Sequence, residues 1–100
     1  MTMKLLKIVT SASEEEVELF YQCVGKNVKR LRKTLGISQL ELALLIGHRS
    51  AAFLANAENC ARGQHFNLEH LFKMSKAMEV GMGEFFKPCK LSKASKKTEG

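Results

Sequence analysis

"GISQLELALLIGHRSAAFLANAEN", Gly36 to Asn59, contains two serines that each open a short helical pattern. Ser38 is followed three residues later by Glu41, the hydroxyl and carboxylate of a capping box. Leu42, Leu45 and Ile46 then form one apolar side, and Gly47 stops the run. Ser50 is the next hydroxyl able to accept from orphaned helix N–H groups. The helix it opens extends to about Asn59, with Phe53, Leu54 and Ala57 turned inward. The stretch therefore reads as two short helices joined by the turn "GHRS", the second rich in alanine and poor in polar groups.

Upstream, Ser13 with Glu16 forms another capping box, and Glu14 and Glu15 suit the positive end of a helix dipole. Val17, Phe20, Tyr21, Val24, Val28, Leu31 and Leu35 recur at three- and four-residue spacing along one long helix. Gly36 ends it, with Arg30, Arg32 and Lys33 in its last turns. Downstream, "CARGQHF" is a loop, and Asn67 caps a fourth helix whose shared face is Leu68, Leu71, Phe72, Ser75 and Met78. Gly81 breaks that helix, and "MGEFF" is a last short turn whose Phe85 and Phe86 close the core. At the start, "KLLKIVT" (4–10) is a short strand needing a partner or an apolar arm packed on its own domain. Beyond Pro88 the lysine- and serine-rich end reads as a disordered tail. The expected organisation is an arm over 1–12, a helical domain over 13–87 and a flexible basic tail over 88–100.

A chain of 100 residues holds one domain, and 45% apolar with 26% charged residues is ordinary for a soluble globular protein. A single proline, no tryptophan and abundant Leu, Ala, Lys and Glu favour helices. The net charge of +6 suits a polyanionic partner, though it equally suits a merely soluble surface. Cys23, Cys60 and Cys89 are odd in number, widely spaced and without a CxxC. That pattern is no disulfide framework and fits a reducing cytoplasm. No apolar run reaches membrane-spanning length, and the first ten residues lack the cleavage pattern of a signal peptide. There is no aspartate, no glycine-rich phosphate loop and no recognisable carboxylate pair, so neither an enzyme nor a cofactor is expected. Cys60, His65 and His70 lie five and five apart, outside the usual zinc spacings, so no metal is expected either.

"LRKTLGISQLELALLIG", "AEN" and "NLEHLFKMSKAMEV...EFF", in this order, resemble the phage-repressor or Cro-like helix-turn-helix domain of the XRE family. The resemblance covers about residues 25–86. It implies an all-α, lambda-repressor-like five-helix bundle that binds double-stranded DNA sequence-specifically and regulates transcription. The third helix, about 50–59, would enter the major groove, and the family's habit implies a homodimer. Gln39 matches the glutamine that touches a phosphate, and Arg32 and Glu58 match a structural ion pair that sets the angle between helices. Ala43 and Gly47 match positions kept small where the short helices cross closely.

The outward positions of the third helix are Ala51, Ala52, Ala55 and Asn56, where relatives carry longer polar side chains. Only Asn56 suits a bidentate contact, best to adenine, while alanine can meet a thymine methyl. Readout would then lean on phosphate contacts and DNA shape, tending to A·T-rich sites. One residue more than the family spacing separates Gly47 from Glu58; placed in the turn, it puts Arg49, beside Ser50, at the mouth of the groove. Asn59, Arg62, Gln64, Lys26 and Asn27 are further phosphate candidates, whereas Lys29, Arg30 and Lys33 face solvent away from DNA. Lys87, Lys90, Lys93, Lys96 and Lys97 would add salt-sensitive affinity. Cys60 stands where many relatives have glycine, which predicts a different helix end. Two rival readings remain: a protein-binding or antitoxin-like module of the same fold, and a non-specific DNA binder.

Overall fold

A helix start leaves backbone N–H groups without partners, and a side-chain oxygen just before it can accept them. The computed structural model describes residues 12–89, and within them four α-helices begin this way. They are α1 (Glu14–Thr34), α2 (Gln39–Leu45), α3 (Ala51–Asn59) and α4 (Leu68–Met78). Ser13 and Ser38 sit in complete capping boxes with Glu16 and Glu41. Ser50 accepts from the Ala52 N–H, and Asn67 from that of His70. No strand occurs among the described residues, which are all-α. The expected arm or strand over 4–10 and the lysines from 90 onward lie outside the described residues.

Four α-helices stand where five were expected, because Met82–Phe86 winds as a 3₁₀ turn. Its three-residue repeat aligns Met82 with Phe85, so Phe85 is fully buried while Phe86 faces solvent. Phe86 therefore does not close the core; it stacks on Phe20 at 6.0 Å. The 3₁₀ turn is held on α1 by Asn27, whose Nδ2 donates to Phe85 O at 3.0 Å and Lys87 O at 2.9 Å. Beside it Cys23 and Cys89 form a disulfide with their Cα atoms 5.7 Å apart. One expectation changes here: a disulfide is present where the cysteine pattern suggested none. No helix among the described residues is long and apolar enough to cross a membrane.

The core gathers α1 from Val24 onward, α2, α4 and Phe85 around Leu54 and Ala57 of α3. Three expected core faces are shifted. The stripe of α1 begins at Val24, because its first two turns extend past what covers the rest and leave Val17 and Phe20 exposed. In α2 Ala43 is buried and Leu45 is not. In α4 the buried side is Leu71, Met74 and Met78, while Leu68 is 72% and Phe72 55% exposed. Both candidate stripes of α4 satisfy helical spacing; packing against α2 and the 3₁₀ turn selects the methionine side.

Helix ends also differ. α4 stops at Glu79, in the left-handed region (φ 56), two residues before Gly81. Val80 N–H donates to Ser75 O at 3.1 Å and Ser75 Oγ donates to Val80 O at 2.6 Å, a closed turn that offsets the strain of a non-glycine residue. Gly47 has φ +88 and nothing within 4 Å of where a Cβ would stand. Backbone conformation, not a close crossing, requires that glycine.

Candidate nucleic-acid interface

α3 has nine residues and packs on both α1 and α2, so its inner side is held from two directions. Gly25 of α1 meets it at backbone level: a Cβ there would overlap the Glu58 carbonyl and lie 3.2 Å from that of Ala57. Next to this crossing Glu58 points inward. Arg32 Nε donates to Glu58 Oε2 at 2.7 Å and Nη2 to Oε1 at 3.2 Å, a two-pronged fork. The Glu58 side chain is 0% exposed and that of Arg32 8%, so both charges have lost their water. The fork returns much of that desolvation, and two further bonds help. Arg32 Nη1 donates to Ile37 O at 3.0 Å, and Gln39 Nε2 donates to Glu58 Oε1 at 3.1 Å. No buried side-chain nitrogen or oxygen among the described residues lacks a partner.

Gln39 was expected at a phosphate. It is half-buried and engaged with Glu58, which leaves one N–H of its amide for another acceptor.

The other side of α3 carries Ala52, Ala55, Asn56 and Asn59, with Ala51 at its edge. Ala52 and Asn59 are exposed, and Ala51, Ala55 and Asn56 are half-buried. The Ser50 hydroxyl accepts from Ala52 N–H at 3.0 Å, so its role here is the cap. Asn59 Nδ2 donates back to Ala55 O at 2.9 Å, which folds that amide onto its own helix. Asn56 makes no side-chain hydrogen bond among the described residues. The one carboxylate of α3, Glu58, lies beneath, so the helix contributes no negative charge to its outer side. Arg49 is exposed in the bend before α3 and Arg62 in the 3₁₀ turn after it.

Cys60 ends α3 in the left-handed region (φ 53, ψ 39) despite its side chain, about 1 kcal/mol or more above glycine there. Arg62 repeats the conformation at φ 55. The thiol of Cys60 is pushed up by burial and then by the charge of Glu18.

Some assignments change. Asn27 is buried and structural, not a phosphate contact. Arg30 donates to Asn27 Oδ1 at 3.2 Å and lies 3.8 Å from Glu84, tying α1 to the 3₁₀ turn. Lys87 pairs with the same Glu84 at 3.1 Å. Lys26 and Gln64 are exposed. His65 stacks on Tyr21 at 3.7 Å, and no group of three or more His, Cys, Asp or Glu among the described residues is placed to hold a metal ion.

Sequence reasoning missed the close approach at Gly25, the burial of Asn27 and the packing of His48. A glycine inside a helical pattern is itself a signal of close approach, and Gly25 carried it. Nothing local marks Asn27 as buried. His48, in the turn, stacks on Phe53 at 4.0 Å and meets His70 of α4. Set against family models and curated proteins, the chain matches none.

Proposed function

We propose that this chain is a sequence-specific double-stranded-DNA-binding transcriptional regulator of the phage-repressor type, with α2 and α3 as its helix-turn-helix. The observation that carries the reading is the asymmetry of α3. Its underside is clamped by Arg32, Gln39 and Gly25, while its outer side offers small side chains, one uncommitted carboxamide and no carboxylate. A net charge of +6 supports attraction to a phosphate backbone.

Each outer residue then has a task. Asn56 presents a donor and an acceptor to adenine N7 and N6, and Ala52 and Ala55 meet thymine methyls. With side chains so short, the helix backbone can lie deep in the major groove. Arg49, Arg62 and the second amide proton of Gln39 reach phosphates. Base readout is thin, so groove shape carries much of the preference and A·T-rich sites are favoured. A homodimer would double these contacts, and light scattering at micromolar concentration reads it directly.

The test is selection of fragments from a random DNA pool, followed by binding at graded salt. Affinity should fall steeply with salt. Asn56→Ala should cost about 1–3 kcal/mol and relax one base position, whereas Arg49→Ala should weaken all sites alike. Enrichment of no sequence, with no retardation at low salt, overturns the proposal.

A second reading has its own observation. Leu40, Leu44 and Leu45 are exposed on α2, an apolar surface that DNA contact does not use. It favours a protein-binding module of the same fold, which predicts a stable complex with another protein and no DNA retardation.

A further inference from the structure

Behind the turn that leads into α3, two imidazoles face each other. His48 Nε2 and His70 Nε2 are 3.4 Å apart, and both rings are half-buried. Phe53 of α3 lies flat on His48 at 4.0 Å and tilts toward His70 at 4.9 Å; Phe66 meets His70 edge-on at 6.1 Å. Two nitrogens at this distance need one hydrogen between them, and the surrounding bonds decide where it sits.

His70 occupies the third position of α4 and completes its capping box. Asn67 Oδ1 accepts from His70 N–H at 2.8 Å, and Asn67 N–H donates to His70 Nδ1 at 3.1 Å. A nitrogen that accepts carries a lone pair, so neutral His70 holds its proton on Nε2. That proton points at His48, which must accept through Nε2 and carry its own proton on Nδ1. Both tautomers are thereby fixed by one backbone N–H at the start of α4.

We propose that the His48–His70 hydrogen bond is a proton-sensitive latch that holds the turn 47–50, and with it the entry of α3, against α4. It is closed when both rings are neutral. A proton added to His48 at Nε2 sets N–H against N–H and breaks the bond between the rings. A proton added to His70 at Nδ1 sets N–H against the Asn67 N–H and breaks the cap that aims the ring. If His70 instead turns its lone pair toward a protonated His48, the cap is lost again. Every protonated form forfeits one of the two bonds.

The charges around the pair reinforce this. His70 is held below the ordinary value of 6.5, first by burial and next by the neighbouring His48. Lys73 of its own helix and His65 of the loop before it act in the same direction, and Glu69 opposes them. A depressed basic group means the folded state binds fewer protons than the unfolded one. The stabilisation is therefore complete above pH 6.5 and is lost as pH falls through the lower folded value.

The same nitrogens are spaced like two ligands of a tetrahedral cation, for which N···N is about 3.3 Å at ordinary zinc–nitrogen lengths. Binding one would need the lone pair of His70 on Nε2 and hence a proton on Nδ1, against the cap. The hydrogen bond needs no such rearrangement.

If α3 reads DNA as proposed above, the latch makes the reading head pH-dependent; the latch itself does not rest on that reading, so it is tested without DNA. Nitrogen-15 NMR of the imidazoles in the full chain, with chelator present, should show His70 protonated on Nε2 and His48 on Nδ1 at pH 8. Melting temperature should then fall between pH 8 and 5.5 by on the order of 5 °C more in the wild type than in His70→Gln or His48→Gln. Glutamine suits the capping-box position, so His70→Gln removes the titration while keeping the cap. The opposite tautomer on either ring at pH 8, or equal falls in the wild type and both variants, overturns the proposal. So does a rise in melting temperature on adding zinc to the chelator-free wild type that His48→Gln abolishes, since the pair would then be a metal edge.

Discussion

The two sides of α3 are built on opposite principles. Underneath, Leu54, Ala57 and Glu58 are buried, a glycine admits the backbone of the neighbouring helix, and an ion pair is fixed by four hydrogen bonds around Arg32 and Glu58. Above, Ala52 is exposed, Ala55 and Asn56 are half-buried, and the Asn56 amide makes no hydrogen bond among the described residues. A substitution underneath must disturb packing or strand a charge; one above changes only what the helix presents. Stability is thus carried by one side of this short helix and, on the proposed reading, recognition by the other, so each side can be altered while the other is watched.

The largest effect should come from Glu58→Ala. It strands Arg32 as a buried, uncompensated cation and should cost on the order of 3–5 kcal/mol in chemical denaturation. Combining it with Arg32→Met should recover part of that loss, because the penalty belongs to the unpaired charge; a double variant no better than the single one would refute this account. Gly25→Ala comes next, with about 1–3 kcal/mol lost as α1 and α3 are forced apart at Glu58. A neutral result there would mean that α1 and α3 do not meet at backbone level. Ser50→Ala removes the acceptor of the Ala52 N–H and should cost about 1 kcal/mol, leaving the fold intact. Smallest of all, Ala52→Ser on the open side should shift stability by less than about 0.5 kcal/mol. A loss of several times that size would mean the outer side is not idle, and the division between the two sides would fail.

How much of this was legible beforehand follows the range of each interaction. Ser13, Ser38, Ser50 and Asn67 could be read as caps because the bonds they make span two or three residues. The inward side of α4 could not: Leu68 and Phe72 are as apolar and as well spaced as Met74 and Met78, and only the neighbouring helices break the tie. Asn27 looked like a surface residue because polarity usually means exposure, while its partners are the carbonyls of Phe85 and Lys87, far along the chain. The bond between Cys23 and Cys89 is out of reach for a related reason: it is not written in local composition. For the interface, the outward register of α3 follows from counting back from Glu58. What counting could not reveal is that Gln39 already serves Glu58 and that Asn59 turns its amide back onto Ala55.

The link between Cys23 and Cys89 joins positions 66 residues apart, with α2, α3 and α4 all inside the ring it closes. Tension pulling on the chain from before the first sulfur and after the second would run across that covalent bridge. The three enclosed helices would carry none of the load, so the domain should resist mechanical extension for as long as the bridge stays oxidised and yield at much lower force once it is reduced.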